Sequence, residues 1–156
     1  MADYQIILAD DDDDDCMFFK DALDELSITA CVRTVNNGVE LMKFLETHPH
    51  NLPDVIFLDL NMPRKTGFEC LTAIKNNEQL KRLNVIIYST SSNQDMIDLL
   101  YNNGAQFYIR KPAAFADLKL VIHKAILLSR ENTCMQPSKD KFVVQPQRIN
   151  EQYYKK

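Results

Sequence analysis

Residues 54–63 read Asp-Val-Ile-Phe-Leu-Asp-Leu-Asn-Met-Pro, and this stretch decides the fold. Its apolar run, Val55 to Leu58, is typical of a strand that is buried on both faces in a parallel sheet. Asp59 follows at the carboxyl end of this strand, and Pro63 directs the chain out of the sheet because proline lacks the N–H that a ladder needs. Ligands of open α/β sheets bind at that edge, so we predict that Asp59 is a nucleophile for a phosphoryl group.

Apolar runs of strand length alternate with segments of helical periodicity along the chain. We predict strands at residues 4–9, 31–35, 54–59, 84–89 and 106–110. We predict a first helix over residues 13–27 and a fifth that ends near residue 129. Such alternation implies right-handed crossovers and a parallel sheet with helices on both faces. The expected fold is therefore a flavodoxin-like, doubly wound (βα)5 domain with strand order 2-1-3-4-5.

This strand order makes the first and third strands neighbours, and both are followed by acidic residues. Asp10 and Asp11 come after the first strand and Asp59 after the third, so topology brings these carboxylates into one cleft. Crowded carboxylates repel one another unless a cation lies among them. Oxygen ligands at a site open to water select a hard cation, and the sequence therefore predicts Mg²⁺ as the cofactor.

Polar groups follow the fourth and fifth strands as well. Ser89 closes the fourth strand and Lys111 follows the fifth, so both should face the edge that carries Asp59. A hydroxyl group can hydrogen-bond a phosphoryl oxygen, and a lysine supplies a point charge for phosphate. These residue types extend the predicted phosphoryl site to four strand ends.

At this point the chain resembles a known family. Asp10-Asp11, the Leu-Asp-Leu-Asn-Met-Pro run at residues 58–63, Ser89 and the Tyr-Ile-Arg-Lys-Pro run at residues 108–112 resemble the response-regulator receiver domain of two-component signalling, in its stand-alone form. The resemblance covers about residues 4 to 129, with every site position in order. It implies that Asp59 accepts a phosphoryl group from a histidine kinase or phosphotransfer protein.

The resemblance also implies ligands and contacts at the site. Asp10 or Asp11, Asp59 and the backbone carbonyl of Asn61 would hold Mg²⁺. Lys111 would contact the phosphoryl group, and its peptide bond to the following proline would be cis. The length of the aspartate run leaves uncertain by one position which acidic pair contacts the metal.

A switch is implied by the same resemblance. Ser89 and Tyr108 would form the switch pair, in which the hydroxyl group moves to the phosphoryl oxygen and the aromatic ring follows inward. The fourth helix, the fifth strand and the fifth helix would then present a changed surface to a downstream protein target. The family also allows a phosphorylation-dependent dimer.

Other interpretations of these residues explain less of the sequence. An aspartate-nucleophile phosphohydrolase is the alternative function, but it needs a second acid where Asn61 stands. A nucleotide or flavin binder needs a glycine-rich turn after the first strand, where this chain has aspartates that would repel phosphates. Residues 12–15 are best explained as a solvated helix start, because acidic groups suit the positive end of the helix dipole. We therefore expect a signalling protein and not an enzyme.

Composition narrows the class of protein further. The 156 residues carry a net charge of −4, whereas nucleic-acid binding favours a basic face, so no DNA partner is expected. No run approaches the roughly 20 apolar residues of a membrane span, and the N-terminus does not resemble a signal peptide. We predict a cytoplasmic protein with no membrane partner.

The end of the chain departs from the alternating pattern. We predict a receiver domain over residues 1–129, followed by a C-terminal tail or docking arm over residues 130–156. This last segment contains two prolines, several glutamines and one apolar patch at residues 142–144. The composition favours a flexible tail over an arm that docks on the domain or on a neighbour.

Overall fold

The computed structural model of the protein describes residues 3–133 and 135–146. Cys134 and the remainder of the predicted tail, residues 147–156, lie outside the described residues. The strands are β1 (Tyr4–Ala9), β2 (Ala30–Val35), β3 (Val55–Leu58), β4 (Asn84–Ser89), β5 (Phe107–Arg110) and β6 (Val143–Val144). The helices are α1 (Asp13–Asp24), α2 (Gly38–Thr47), α3 (Gly67–Lys75), α4 (Gln94–Asn102) and α5 (Phe115–Glu131), with a short 3-10 helix at Lys139–Lys141.

The strands form one parallel sheet in the order β2-β1-β3-β4-β5-β6. This confirms the predicted (βα)5 topology and adds a sixth strand at the β5 edge. Ala9 pairs with Leu58, so Asp10 and Asp59 leave the sheet side by side. Strand pairing alone therefore places these two carboxylates at a common edge.

β3 is buried on both faces, as its apolar run predicted. Ile56 and Leu58 join the core on the side of α2, α3 and α4, whereas Val55 and Phe57 join the core on the side of α1 and α5. All four side chains have no exposed surface. Asp59 therefore directly follows a fully buried strand, and the packing of that strand holds the Asp59 backbone in place.

Short polar residues start the helices near this edge. The Asp12 side chain caps α1 by accepting hydrogen bonds from the N–H groups of Asp14 and Asp15. α3 begins with a reciprocal capping box between Thr66 and Glu69. Gly67 is required at the start of α3, because a Cβ there would collide with the backbone oxygen of Asp59.

The described part of the C-terminal segment packs on the domain. The Tyr108 N–H donates to the Phe142 carbonyl over 3.0 Å, and Tyr108 pairs with Val143 in the β5–β6 ladder. The Tyr101 hydroxyl also donates to the Pro137 carbonyl over 2.8 Å. The expectation of a flexible tail is therefore wrong for residues 135–146, since their apolar patch covers the open edge of β5. The division of the chain at residue 129 stays a prediction.

The length and apolarity of the helices also bear on membrane contact. Across residues 3–133 and 135–146, no helix is both long enough and apolar enough to cross a membrane.

Candidate functional site

Three strand ends bring an acidic pair and a lysine together. β1 is followed by Asp10, β3 by Asp59 and β5 by Lys111. Asp10 has no exposed surface, and Asp59 is 6 % exposed. The Lys111 Nζ lies 2.7 Å from an Asp10 carboxylate oxygen and 3.5 Å from one of Asp59. The structure thus brings these three residues together, as the sequence predicts.

Asp11 completes a cluster that could hold a metal ion. One carboxylate oxygen from each of Asp10, Asp11 and Asp59 lies within 4.8 Å of the other two. Asp11 is exposed, whereas its partners are buried, so the cluster opens toward water on one side. Three oxygen donors at a partly hydrated site suit a hard divalent cation that keeps some of its waters.

The Asn61 backbone also touches the acidic cluster. Its N–H donates to an Asp59 carboxylate oxygen over a long 3.4 Å contact. This contact links the loop after β3 to the Asp59 carboxylate. The part that the Asn61 carbonyl would play as a metal ligand stays a prediction.

Burial and charge shape the ionisation of the site. Burial raises the pKa of Asp59 to about 6. The charge of Lys111 lowers this pKa, but it compensates only in part, and repulsion from Asp10 raises the pKa further. Burial would lower the pKa of Lys111, but hydrogen bonds to Asp10 and Asp15 outweigh this effect and raise it. Lys111 is therefore a cation at neutral pH, and Asp59 is mostly ionised.

The raised pKa of Asp59 predicts how stability depends on pH. The folded state binds the Asp59 proton more tightly than the unfolded state does. The free energy of unfolding of the protein should therefore fall as pH rises from about 4 to about 6. We expect Asp59→Asn to remove this loss and to raise the free energy of unfolding by about 2 kcal/mol at pH 7, with little gain at pH 4. Thermal and denaturant unfolding in metal-free buffer measure the difference.

The control for this prediction removes a similar charge from an exposed position. Asp24→Asn changes an exposed residue at the end of α1, and we expect it to change stability by less than about 0.5 kcal/mol. An Asp59→Asn gain that is equal at pH 4 and pH 7 would show that proton binding by Asp59 does not cause it.

Ser89 and Tyr108 converge on a residue of the β4–α4 loop. The Ser89 Oγ accepts a hydrogen bond from the Ser91 N–H over 3.2 Å, and the Tyr108 hydroxyl donates to the Ser91 carbonyl over 2.6 Å. Ser89 and Tyr108 are both without exposed surface. The aromatic ring already lies inside the domain, so both predicted switch residues meet at Ser91.

Asp15 is a site residue that sequence analysis did not single out. The sequence predicts a solvated helix start at this position, yet the Asp15 carboxylate lies 2.8 Å from the Lys111 Nζ. The available signal was its place in the first turn of α1, at the edge to which the lysine belongs. The position of Asp15 in the helix does not by itself predict that its side chain pairs with Lys111, which is distant in sequence.

The peptide bond after Lys111 differs from the expectation. The described residues contain no cis peptide bond, so the predicted cis Lys111–Pro112 bond is wrong. A trans bond is the favoured form even before proline. The Lys111 ammonium group reaches the Asp10 carboxylate with the bond in this form.

A small cleft with an apolar rim adjoins the site. It has a volume of about 100 Å³, and Asp15, Phe18, Lys111 and Phe115 are among its lining residues. Phe18 is 46 % exposed and Phe115 is 36 % exposed. Clustered exposed apolar side chains typically mark a surface that binds another protein.

Sequence comparison gives relatives with regulatory names. A probable methanogenesis regulatory protein, FilR2 of Methanothrix harundinacea, is 30% identical over 76% of this chain and 79% of its own length. The response regulator Rcp1 of Synechocystis sp. is 33% identical over 72% of this chain and 80% of its own length. Both alignments extend over most of each protein.

Structure comparison and the family model agree with these relatives. The phosphorylated cyanobacterial phytochrome response regulator RcpA has a TM-score of 0.75 at 35% identity, over 88% of this chain and 100% of its own. The Mn²⁺-bound form of Rcp1 has a TM-score of 0.72 at 29% identity, over 86% of this chain and 99% of its own. The model of the response regulator receiver domain matches residues 6–123, the span that contains the acidic cluster and Lys111, and the chain belongs to that family.

Proposed function

We propose that Asp59 accepts a phosphoryl group, with Mg²⁺ bound by the adjoining acidic cluster, and that the new group switches a protein-binding surface. The single observation that carries this function is the convergence of Asp10, Asp11 and Asp59 with the buried ammonium group of Lys111. The membership of the chain in a family of phosphoacceptor response regulators agrees with it. Phosphoryl transfer needs a positioned nucleophile and compensation of charge, and this site offers both.

The chemistry follows from the protonation states. A carboxylate oxygen of Asp59 attacks phosphorus, the bond from phosphorus to the donor nitrogen of a phosphohistidine breaks, and an acyl phosphate forms on Asp59. The electron pair of the broken bond leaves with the imidazole of the donor. The Lys111 ammonium group, which is 3.5 Å from Asp59, donates to an oxygen of the transferred group.

The metal would be held by the carboxylates of Asp10, Asp11 and Asp59 and by the backbone carbonyl of Asn61. When bound, Mg²⁺ neutralises charge on the transferring group. Two of these carboxylates are buried, so their mutual repulsion is strong and a cation should relieve it. A set of ligands made of oxygen atoms alone therefore suits Mg²⁺.

The switch would pass through Ser89 and Tyr108. Movement of the Ser89 hydroxyl toward a phosphoryl oxygen would end its contact with the Ser91 N–H, and Ser91 is the residue that holds the Tyr108 hydroxyl. The loop between β4 and α4 is therefore the element that phosphorylation biases. Its rearrangement would change the surface offered to a downstream protein or to a second copy of the chain.

The apolar rim supports a protein as phosphodonor. Phe18 and Phe115 are exposed at the cleft that reaches Lys111. A histidine kinase or phosphotransfer protein would bury this surface while it presents its phosphohistidine to Asp59. A small phosphodonor does not need the rim, so it can be used to test the site separately.

The phosphohydrolase alternative gains no support from the site. Such an enzyme needs a general acid two residues after the nucleophile. That position is Asn61, whose amide side chain cannot supply a proton for this purpose.

The direct test uses acetyl phosphate or beryllofluoride on the full chain, with and without Mg²⁺. We expect a single Mg²⁺-dependent adduct by intact-protein mass spectrometry with acetyl phosphate, and its absence in Asp59→Asn. We also expect millimolar Mg²⁺ to raise the melting temperature of the wild-type protein, since it binds the folded state. An adduct that persists in Asp59→Asn, or that forms equally well in a metal chelator, would contradict the proposal.

A further inference from the structure

Lys111 has two close carboxylate partners, and they differ in what else they can bind. Its Nζ lies 2.7 Å from Asp10 and 2.8 Å from Asp15, compared with 3.5 Å from Asp59. A lysine ammonium group has three N–H donors, so these three carboxylates match its full capacity. Asp15 therefore provides one of the two short contacts that hold the lysine.

Asp15 stands apart from the metal cluster. Among residues 3–133 and 135–146, the carboxylates close enough to share one metal ion at this edge are Asp10, Asp11 and Asp59. Asp15 lies in the first turn of α1, which begins after Asp10 and Asp11, and 32 % of its side chain is exposed. It can keep its contact with Lys111 while Asp10 and Asp59 coordinate a cation.

A bound dication changes the surroundings of Lys111. A dication held by Asp10 and Asp59 would offset much of their negative charge and would repel the nearby ammonium group. Because 8 % of the Lys111 side chain is exposed, it lies in a poorly screened environment. A counter-charge outside the metal cluster would keep the lysine in the cleft under these conditions.

We propose that Asp15 is a positioning residue that holds Lys111 at the phosphorylation site when the metal is bound. This inference rests on the proposed function and assigns to the start of α1 a part in it. In the metal-loaded protein, the lysine keeps its short contact with Asp15 and donates another N–H to the incoming phosphoryl oxygen. Asp15 touches neither the phosphoryl group nor the metal, and it acts only through Lys111.

The first test measures phosphorylation at saturating Mg²⁺, with acetyl phosphate as the donor. We expect Asp15→Asn to form the adduct about tenfold more slowly than wild type, a loss typical of one charge-assisted hydrogen bond. Saturating metal removes any effect that acts only through Mg²⁺ affinity. We expect Asp15→Glu, which keeps the charge, to restore most of the rate.

The matched control is Asp14→Asn. Asp14 is exposed in the same turn of α1 and carries the same charge, and it is absent from the Lys111 contacts that the structure records. We expect its rate at saturating Mg²⁺ to stay within about twofold of wild type, since exposed charges are well screened. Equal rates for Asp14→Asn and Asp15→Asn would overturn the proposal.

The second test needs neither metal nor phosphodonor. Melting temperatures of wild type, Asp15→Asn, Lys111→Met and the double variant form a double-mutant cycle in metal-free buffer. We expect Asp15→Asn to lower the melting temperature in wild type and to have little effect once Lys111 is replaced. An equal loss in both backgrounds would show that Asp15 does not act through Lys111.

The two proposals fail in distinguishable ways. If wild-type protein forms no Mg²⁺-dependent adduct on Asp59, the proposed function fails whatever Asp15 does. If the wild-type adduct forms and Asp15→Asn matches Asp14→Asn, the function stands and the positioning role of Asp15 is overturned.

Discussion

Lys111→Met is expected to lower the free energy of unfolding by about 3 kcal/mol at pH 7 in metal-free buffer, because it leaves a buried charge without its partner. The Lys111 ammonium group is the cation that Asp10 and Asp59 contact, and Asp10 has no exposed surface. Methionine keeps a similar length and apolar volume, so the change removes charge more than packing. A loss of this size corresponds to roughly 6–12 °C in melting temperature for a domain of this length.

Two further measurements separate charge from shape in this variant. The charge of Lys111 lowers the pKa of Asp59, so the deficit should shrink as pH falls from 7 toward 4 and Asp59 takes up its proton. Mg²⁺ should restore more stability to the variant than to wild type, since it supplies the missing positive charge. A deficit that is constant with pH and unaffected by Mg²⁺ would indicate a packing defect instead.

Arg110→Met is the matched control for Lys111→Met. Arg110 is the adjacent cation in the sequence and is exposed at the end of β5. Its replacement removes the same charge one residue away, and we expect a change of less than about 0.5 kcal/mol. A comparable loss in both variants would attribute the effect to net charge and not to the buried contacts of Lys111.

Phe142→Ala is expected to release the C-terminal segment from the sheet edge. The Phe142 side chain is 1 % exposed, and its ring centroid lies 5.1 Å from that of Tyr101 and 6.2 Å from that of Tyr108. Removal of a buried phenyl group costs about 3 kcal/mol or more. Local detachment of residues 135–146 should limit the loss for the whole domain, because the five-stranded core can remain folded.

Amide hydrogen exchange measures this release directly. The Tyr108 N–H donates to the Phe142 carbonyl, so its exchange should become roughly a hundredfold faster if about 3 kcal/mol of local stability is lost. Met135→Ala is the control, because Met135 belongs to the same segment and is 65 % exposed. Unchanged exchange at Tyr108 in Phe142→Ala would mean that the phenyl group does not hold β6 in place.

The Phe142 contact also relates the segment to the predicted switch. Tyr108 packs near Phe142 and donates its hydroxyl hydrogen to the Ser91 carbonyl. A change in the loop that carries Ser91 would therefore affect the Tyr108 ring, against which the C-terminal segment packs through Phe142. The stability of β6 and the state of the β4–α4 loop are expected to vary together.

Much of the fold and part of the site followed from the order of residues alone. The apolar run before Asp59 predicted a strand buried on both faces, and topology rules then placed Asp10, Asp59 and Lys111 at one edge. These inferences succeed because burial periodicity and strand order are properties of the chain read in one dimension. The boundaries were less certain, since α1 ends at Asp24 and not at residue 27.

The sequence by itself determined the family, the strand order and the edge at which the acids meet. Only the tertiary structure decided that Asp15 pairs with Lys111, that Phe142 covers the β5 edge and that Tyr108 points inward. The physical reason is that each of these depends on which distant side chains fill the same space. Charge pairing and packing at such contacts are set by three-dimensional distance, which neither composition nor periodicity encodes.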